Sequence, residues 1–412
     1  MGSFSMTTMY WMTWGVGLAF LFAFGACAGS FLNVVMYRLP NGLSVVSPPS
    51  RCPRCGARLA WFDNIPILSW LFLRGRCRRC ATRIPFQYPF IELVGGVIVA
   101  GLAALLYLVP PGSYWSAVGG EWWSLQKFGG TWPAFLCWSL TLLGLLAMTV
   151  IDAKTFIIPI QIPTITTITC WVLWPVQAVL PAHNRLFGDW PIPSLSWAGT
   201  AAAFGGVGGV LLGMLLLKRG ILRYSFQDYE DYVEDGEVLA DYPHARREMF
   251  VELLFLLPCM AGIAAGWLIG QGISSPPPLV VMALGASMGG WLCGGAVVWA
   301  VRIFGTLGFG KEAMGAGDVH LMAAVGAAFG WVDPIVAFFI APFFGLGWVV
   351  VRALGGRVLR GLSKELPYGP HLALAVLAVV LLKPVVLDVG EELFPGLFTI
   401  DSARLAESAS SE

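Results

Sequence analysis

Ten stretches of mostly apolar residues, most of them about 20 long, divide this chain. A run of that length is what an α-helix needs to cross the roughly 30 Å hydrocarbon layer of a bilayer. The stretches lie at 11–36, 87–109, 133–151, 157–180, 197–217, 249–271, 279–302, 319–332, 334–353 and 369–388. In lipid the backbone must satisfy its own hydrogen bonds, which leaves helices and closed barrels as the only spanning structures. The expected fold class is therefore an all-α polytopic membrane protein with about ten transmembrane helices. Charged residues make up 12% of the chain, against about 25% in a soluble domain, which excludes a soluble globular enzyme. Residues 1–10 lack a basic leader region and the first run is too long for a cleavable signal, so the first helix is expected to stay.

Lysine and arginine in short loops orient the spans. The 37–86 loop holds nine arginines and a single acid, Asp63, and is expected to be cytoplasmic. Lys154, then Lys218 to Arg247, then Arg302 and Lys311, then Arg352 to Lys364 fall on the same side; Lys127, Arg185 and Lys383 fall opposite. Ten spans agree with that bias throughout and leave both termini outside the cytoplasm. The tryptophans and tyrosine of 110–131 suit an outer interfacial belt.

The chain accordingly divides into a first helix (1–36), a cysteine-bearing cytoplasmic loop (37–86) and a helical block (87–217). An inserted acidic loop with one further helix (218–278), a second helical block (279–388) and a disordered non-cytoplasmic tail (389–412) follow. Seven acids between Asp228 and Asp241 could attract a basic peptide, but a solvated loop is the plainer reading. Glycines at 205, 206, 208 and 209 have no following Lys-Ser/Thr, so they read as close helix packing and not as a phosphate loop.

Cys52-Pro-Arg-Cys55 and Cys77-Arg-Arg-Cys80 form two CxxC knuckles. Four thiolates so spaced suit a tetrahedral structural Zn²⁺ with no open position for water. A redox dithiol competes for either pair alone; the doubled motif favours metal. Cys27, Cys137, Cys170, Cys259 and Cys293 lie singly in apolar runs and read as small buried hydrophobes.

Two aspartates sit where apolar runs meet polar residues. Asp318 ends Gly315-Ala-Gly-Asp318, and Asp152 precedes Pro159 by seven residues. An acid at a bilayer border is costly enough to suggest function. Two carboxylates within hydrogen-bond distance share a proton, so one can activate water while the other donates to a carbonyl oxygen. For each alone, an interfacial charge ending a helix is the bland alternative. The histidines are scattered over both faces; His320, two residues past Asp318, reads as a polar residue at a helix start, with ligand or proton donor as the lesser alternatives.

These pieces, in this order, resemble the type IV prepilin peptidases, the GxGD class of intramembrane aspartyl proteases. Gly29 to Pro40 (with Asn33 and Arg38), the paired CxxC loop, Asp152 with Pro159, Gly315-Ala-Gly-Asp318 and Pro367-Tyr-Gly-Pro370 carry the likeness across 29–370. The resemblance implies catalysis by Asp152 and Asp318, with Gly315, Gly317, His320, Pro159, Asn33 and Arg38 as supporting positions and Zn²⁺ on Cys52, Cys55, Cys77 and Cys80. It implies cleavage of the basic leader of prepilins or pseudopilins at the cytoplasmic face of the inner membrane, with lipid and no nucleic acid as further partners. It often also implies N-methylation of the new amino terminus with S-adenosylmethionine. The chain departs from the usual pattern of about eight spans by its 218–278 insertion, and carries His320 where many relatives have lysine. The competing reading is a transporter or pilus-assembly scaffold whose aspartates bind protons.

Overall fold

The computed structural model describes residues 6–110, 113–118, 121–180, 190–228, 242–354 and 367–393. Twelve α-helices run through them: α1 Met6–Arg38, α2 Leu68–Phe72, α3 Gln87–Tyr107, α4 Glu121–Thr155, α5 Gln161–Val179 and α6 Trp197–Lys218, then α7 Ala245–Gln271, α8 Leu279–Phe309, α9 Ala316–Phe329, α10 Val332–Leu354, α11 Tyr368–Leu381 and α12 Lys383–Leu393. Among the described residues the only β pairing is two isolated bridges, Arg51–Arg58 and Arg76–Arg83, in the cysteine loop. All of the Asp228–Asp241 acidic run but Asp228, together with His183 and the 394–412 part of the tail, lies outside the described residues.

Each of the ten expected spans coincides with helix, and the chain is a multi-pass membrane protein. Among the described residues eight helices are long and apolar enough to cross a bilayer, or nine if the pair α11–α12 is one broken span. The 319–332 run becomes the 14-residue α9, which at 1.5 Å per residue falls well short of a bilayer. Gly330, at φ 84, ends it and turns the chain into α10. The 369–388 run is bent by 93° between α11 and α12; Pro384, in the first turn of α12, suits a new helix start.

Helix α9 is the hub. Eleven of its 14 residues are buried, packed among α4, α5, α8, α10 and α11. Around it lies the core of Trp123, Trp138, Trp174, Leu321, Met322 and Phe329. The glycines of 205–209 behave as expected: Gly205 and Gly209 meet the backbone of α7 so closely that a Cβ there would overlap it. Of the five apolar-run cysteines, Cys137, Cys170 and Cys259 are buried, Cys293 is half-buried, and Cys27 is exposed on α1, a correction to the expectation that all five are interior.

Candidate active site

Asp152 lies one turn from the end of α4 and is 7% exposed. Its helix stops at Thr155 because Phe156 takes a positive φ of 54°, after which the chain turns through Pro159 into α5. Asp318 lies in the first turn of α9 and is 8% exposed. Gly315 is the N-cap, with extended ψ of 143°, and the Asp318 carboxylate hydrogen-bonds back to the Gly315 backbone. This is the reciprocal arm of a capping box, which satisfies an otherwise orphaned N–H.

Two contacts shape the surroundings of the two aspartates. A Cβ on Gly317 would meet Ile158 Cβ at 2.9 Å, so only glycine lets α9 begin against the loop that follows Asp152. The Gly369 N–H donates to Asp152 Oδ2 at 3.1 Å, and a Cβ on Gly369 would sit 2.6 Å from that oxygen. Tyr368, the preceding residue, opens α11. The start of α11 thus touches Asp152 directly. The Asp152 charge also acts directly on Asp318.

The Lys311–Gly315 loop before Asp318 is held by a buried cation. Arg302 of α8, 3% exposed, donates through Nε and a terminal nitrogen to Glu252 of α7 at 3.0 and 2.9 Å. Its other arm pairs with Glu312 and the Met314 carbonyl. Trp299 Nε1 donates to Glu252 at 2.6 Å, the guanidinium carbon stands 5.4 Å from the Phe226 ring centroid, and Arg302 also acts electrostatically on Asp318. Counting Arg302 as a loop charge is therefore corrected: α8 runs to Phe309, two turns further. The insertion supplies Glu252 and Phe226 to this arrangement, and a lone glutamate in the apolar 249–271 run was the available signal.

His320 lines a cavity of about 160 Å³ with Trp299, Glu252, Arg302 and Tyr224. It is not among the residues that join the aspartates. Asn33 Nδ2 donates to the Tyr88 carbonyl at 3.1 Å, fastening α1 to α3. Arg38 donates to the Ser44 and Pro48 carbonyls at 3.0 and 2.7 Å, folding the chain back as it leaves α1.

The four cysteine sulfurs lie within 4.8 Å of one another, with Cys52 and Cys80 at 3.7 Å. Tetrahedral Zn–S bonds of about 2.3 Å put sulfurs roughly 3.8 Å apart, so the set fits one ion. The two knuckles repeat the same fold: Cys52 N bonds Ala57 O and Gly56 N bonds Cys52 O, while Cys77 N bonds Thr82 O and Ala81 N bonds Cys77 O. Backbone N–H groups of Cys55 and Arg54 bring the Cys52 thiol down to about 6. The Thr82 N–H pulls Cys80 down as well, but desolvation and the neighbouring sulfurs outweigh it and push that thiol up to about 11. Sequence reading missed the anchor of this loop, Glu92 of α3, which accepts from the Ile67 N–H at 2.7 Å.

The profile of the bacterial peptidase A24 N-terminal domain matches residues 23–106, and that of the type IV leader peptidase family matches 251–350. Asp318 falls inside the second match and Asp152 between the two. Three similar curated proteins are each named prepilin leader peptidase/N-methyltransferase. One from Myxococcus xanthus is 58% identical over 79 residues, covering 19% of this chain and 24% of that protein. One from Burkholderia pseudomallei is 35% identical, covering 41% and 56%. One from Aeromonas salmonicida is 25% identical over 384 residues, covering 86% and 87%. The first two matches thus span less than two thirds of those relatives' own lengths. No solved structure matches.

Proposed function

We propose that this chain, which belongs to the type IV leader peptidase family, is a membrane-embedded aspartic endopeptidase. It removes the leader from prepilin or pseudopilin precursors beside the cytoplasmic leaflet of the inner membrane. The single observation that carries the reading is that Asp152 and Asp318 are both buried at helix ends, with the Gly369 N–H donating to Asp152 Oδ2 at 3.1 Å.

Two carboxylates brought within reach of one another would hold one proton between them more easily than two charges. The ionised member takes a proton from a water aimed at the scissile carbonyl carbon, and the protonated member donates to the carbonyl oxygen. Proton transfers of this kind contribute about 10²–10⁴-fold each to rate. Gly369 fixes the rotation of the Asp152 carboxylate, and Arg302 holds the loop from which Asp318 projects. Cys52, Cys55, Cys77 and Cys80 would hold a Zn²⁺ that ties the two knuckles into one unit, a structural role, since four sulfurs would leave no site for water.

The relatives' name carries a second activity, methyl transfer, for which S-adenosylmethionine supplies the methyl group. The described cavities do not fit that donor. The one beside His320, about 160 Å³, is smaller than the roughly 300–1,000 Å³ of small-molecule sites. The one between α3, α4 and α11, about 370 Å³, is lined almost wholly by apolar side chains and offers a charged donor no partner.

Purified protein in detergent is expected to cut a prepilin, and Asp152→Asn and Asp318→Asn are each expected to stop cutting while thermal unfolding and zinc content stay unchanged. Cleavage surviving either substitution removes the dyad. Mass spectrometry of the product locates the cut and reads any added methyl group.

A further inference from the structure

The surface of the cysteine module is poorly suited to water. Trp61 is 80% and Phe72 83% exposed, with Phe62, Leu68 and Leu71 exposed near them. Aromatic side chains of this kind favour the headgroup level of a bilayer. The remaining surface is cationic: of the nine arginines in 37–86, all but Arg38 are exposed. The one acid, Asp63, is already taken by Arg78, whose Nε and a terminal nitrogen reach it at 2.9 and 2.7 Å; the same guanidinium lies over Phe62 at 5.2 Å.

Two tethers set the height of this surface. Glu92, which accepts from Ile67 just before α2, lies five residues inside α3, about 7.5 Å along the helix axis. Arg38 turns the chain back on itself at the end of α1. Helix α2 is therefore held level with the first turns of a membrane-crossing helix and not above them.

We propose that the module docks on the surface of its own bilayer, with Trp61, Phe62, Leu68, Leu71 and Phe72 entering the interface and the exposed arginines paired with anionic phospholipid headgroups. Arginine binds phosphate in a rigid fork, and basic clusters beside a membrane are drawn to the anionic leaflet. The same charge makes a basic peptide a poor occupant, since like charges repel. The inference needs no catalytic step.

The test is hydrogen–deuterium exchange of peptides covering 58–76 in the full protein, in nanodiscs of phosphatidylcholine alone or with phosphatidylglycerol. Slower exchange in the anionic discs is expected. Arg79→Gln should lower the docked-to-undocked ratio about fivefold, and Trp61→Ser with Phe72→Ser should abolish the protection while zinc content stays at one per chain. Equal exchange in both lipids, protection that survives the double substitution, or protection found only with two copies per disc would each overturn the proposal. In the last case the face covers a second copy of the chain.

Discussion

Substituting Gly369 by alanine tests the proposed reaction centre where Asp152 is most tightly packed. The added Cβ would stand 2.6 Å from Asp152 Oδ2, where ordinary contact begins at 3.4 Å, so the carboxylate or the start of α11 must yield by about 0.8 Å. Either movement also stretches the 3.1 Å hydrogen bond that fixes the carboxylate. Overpacking of this size costs about 1–3 kcal/mol in stability, and misplacing a reacting group by roughly 1 Å costs about 100-fold in rate. Gly369→Ala is therefore expected to lower kcat for prepilin cleavage about 100-fold with little change in KM, and to unfold slightly earlier in detergent. The control is Gly208→Ala on α6, where nothing lies within 4 Å of the new carbon; it should cleave normally and gain about 0.5–1 kcal/mol. A Gly369→Ala enzyme cutting within threefold of the parent would show that the amide at 369 does not hold a reacting carboxylate, and the proposed pairing would fall with it.

Removing the buried cation should be worse for the fold than for any single hydrogen bond: Arg302→Ala leaves Glu252 uncompensated and is expected to cost about 3–5 kcal/mol, read as thermal unfolding in detergent. Zinc binding at pH 7 should release protons, because Cys80, at about 11, still carries one while Cys52, at about 6, is mostly ionised. Titration calorimetry in two buffers of different ionisation enthalpy measures this, and zinc affinity should fall more steeply with pH below about 6, where zinc must displace a proton from Cys52 as well. The knuckles also predict an asymmetry. Ala81 has φ 54° where its counterpart Gly56 has 65°, so Ala81→Gly should relieve about 1 kcal/mol of strain and Gly56→Ala should add as much, seen as slower and faster zinc loss to a chelator.

The long helices were legible because lipid forces apolar residues into runs, and a run of 20 can be counted. Helix α9 was harder: its sequence is as apolar as a span, but it is wrapped by other helices instead of lipid, and burial in protein and burial in bilayer leave the same composition. The bend at Leu382 depends on where α12 packs, which no local pattern records. Asp152, Asp318 and the cysteines stood out because such residues are expensive or oddly doubled where they are. Glu252 and Arg302 escaped because each, taken singly, reads as a helix-end charge; only the folded chain brings residues 50 positions apart within hydrogen-bond distance. Gly369 stood inside the Pro367-Tyr-Gly-Pro370 motif, but its role was hidden for a similar reason, since the need for a bare Cα appears only when Asp152 arrives beside it.

The amide that steadies Asp152 comes from a residue 217 positions later in the chain. During synthesis both acids would leave the ribosome before that amide does. A chain stopped ahead of residue 367 would carry both Asp152 and Asp318 and still leave the Asp152 carboxylate without the amide that steadies it.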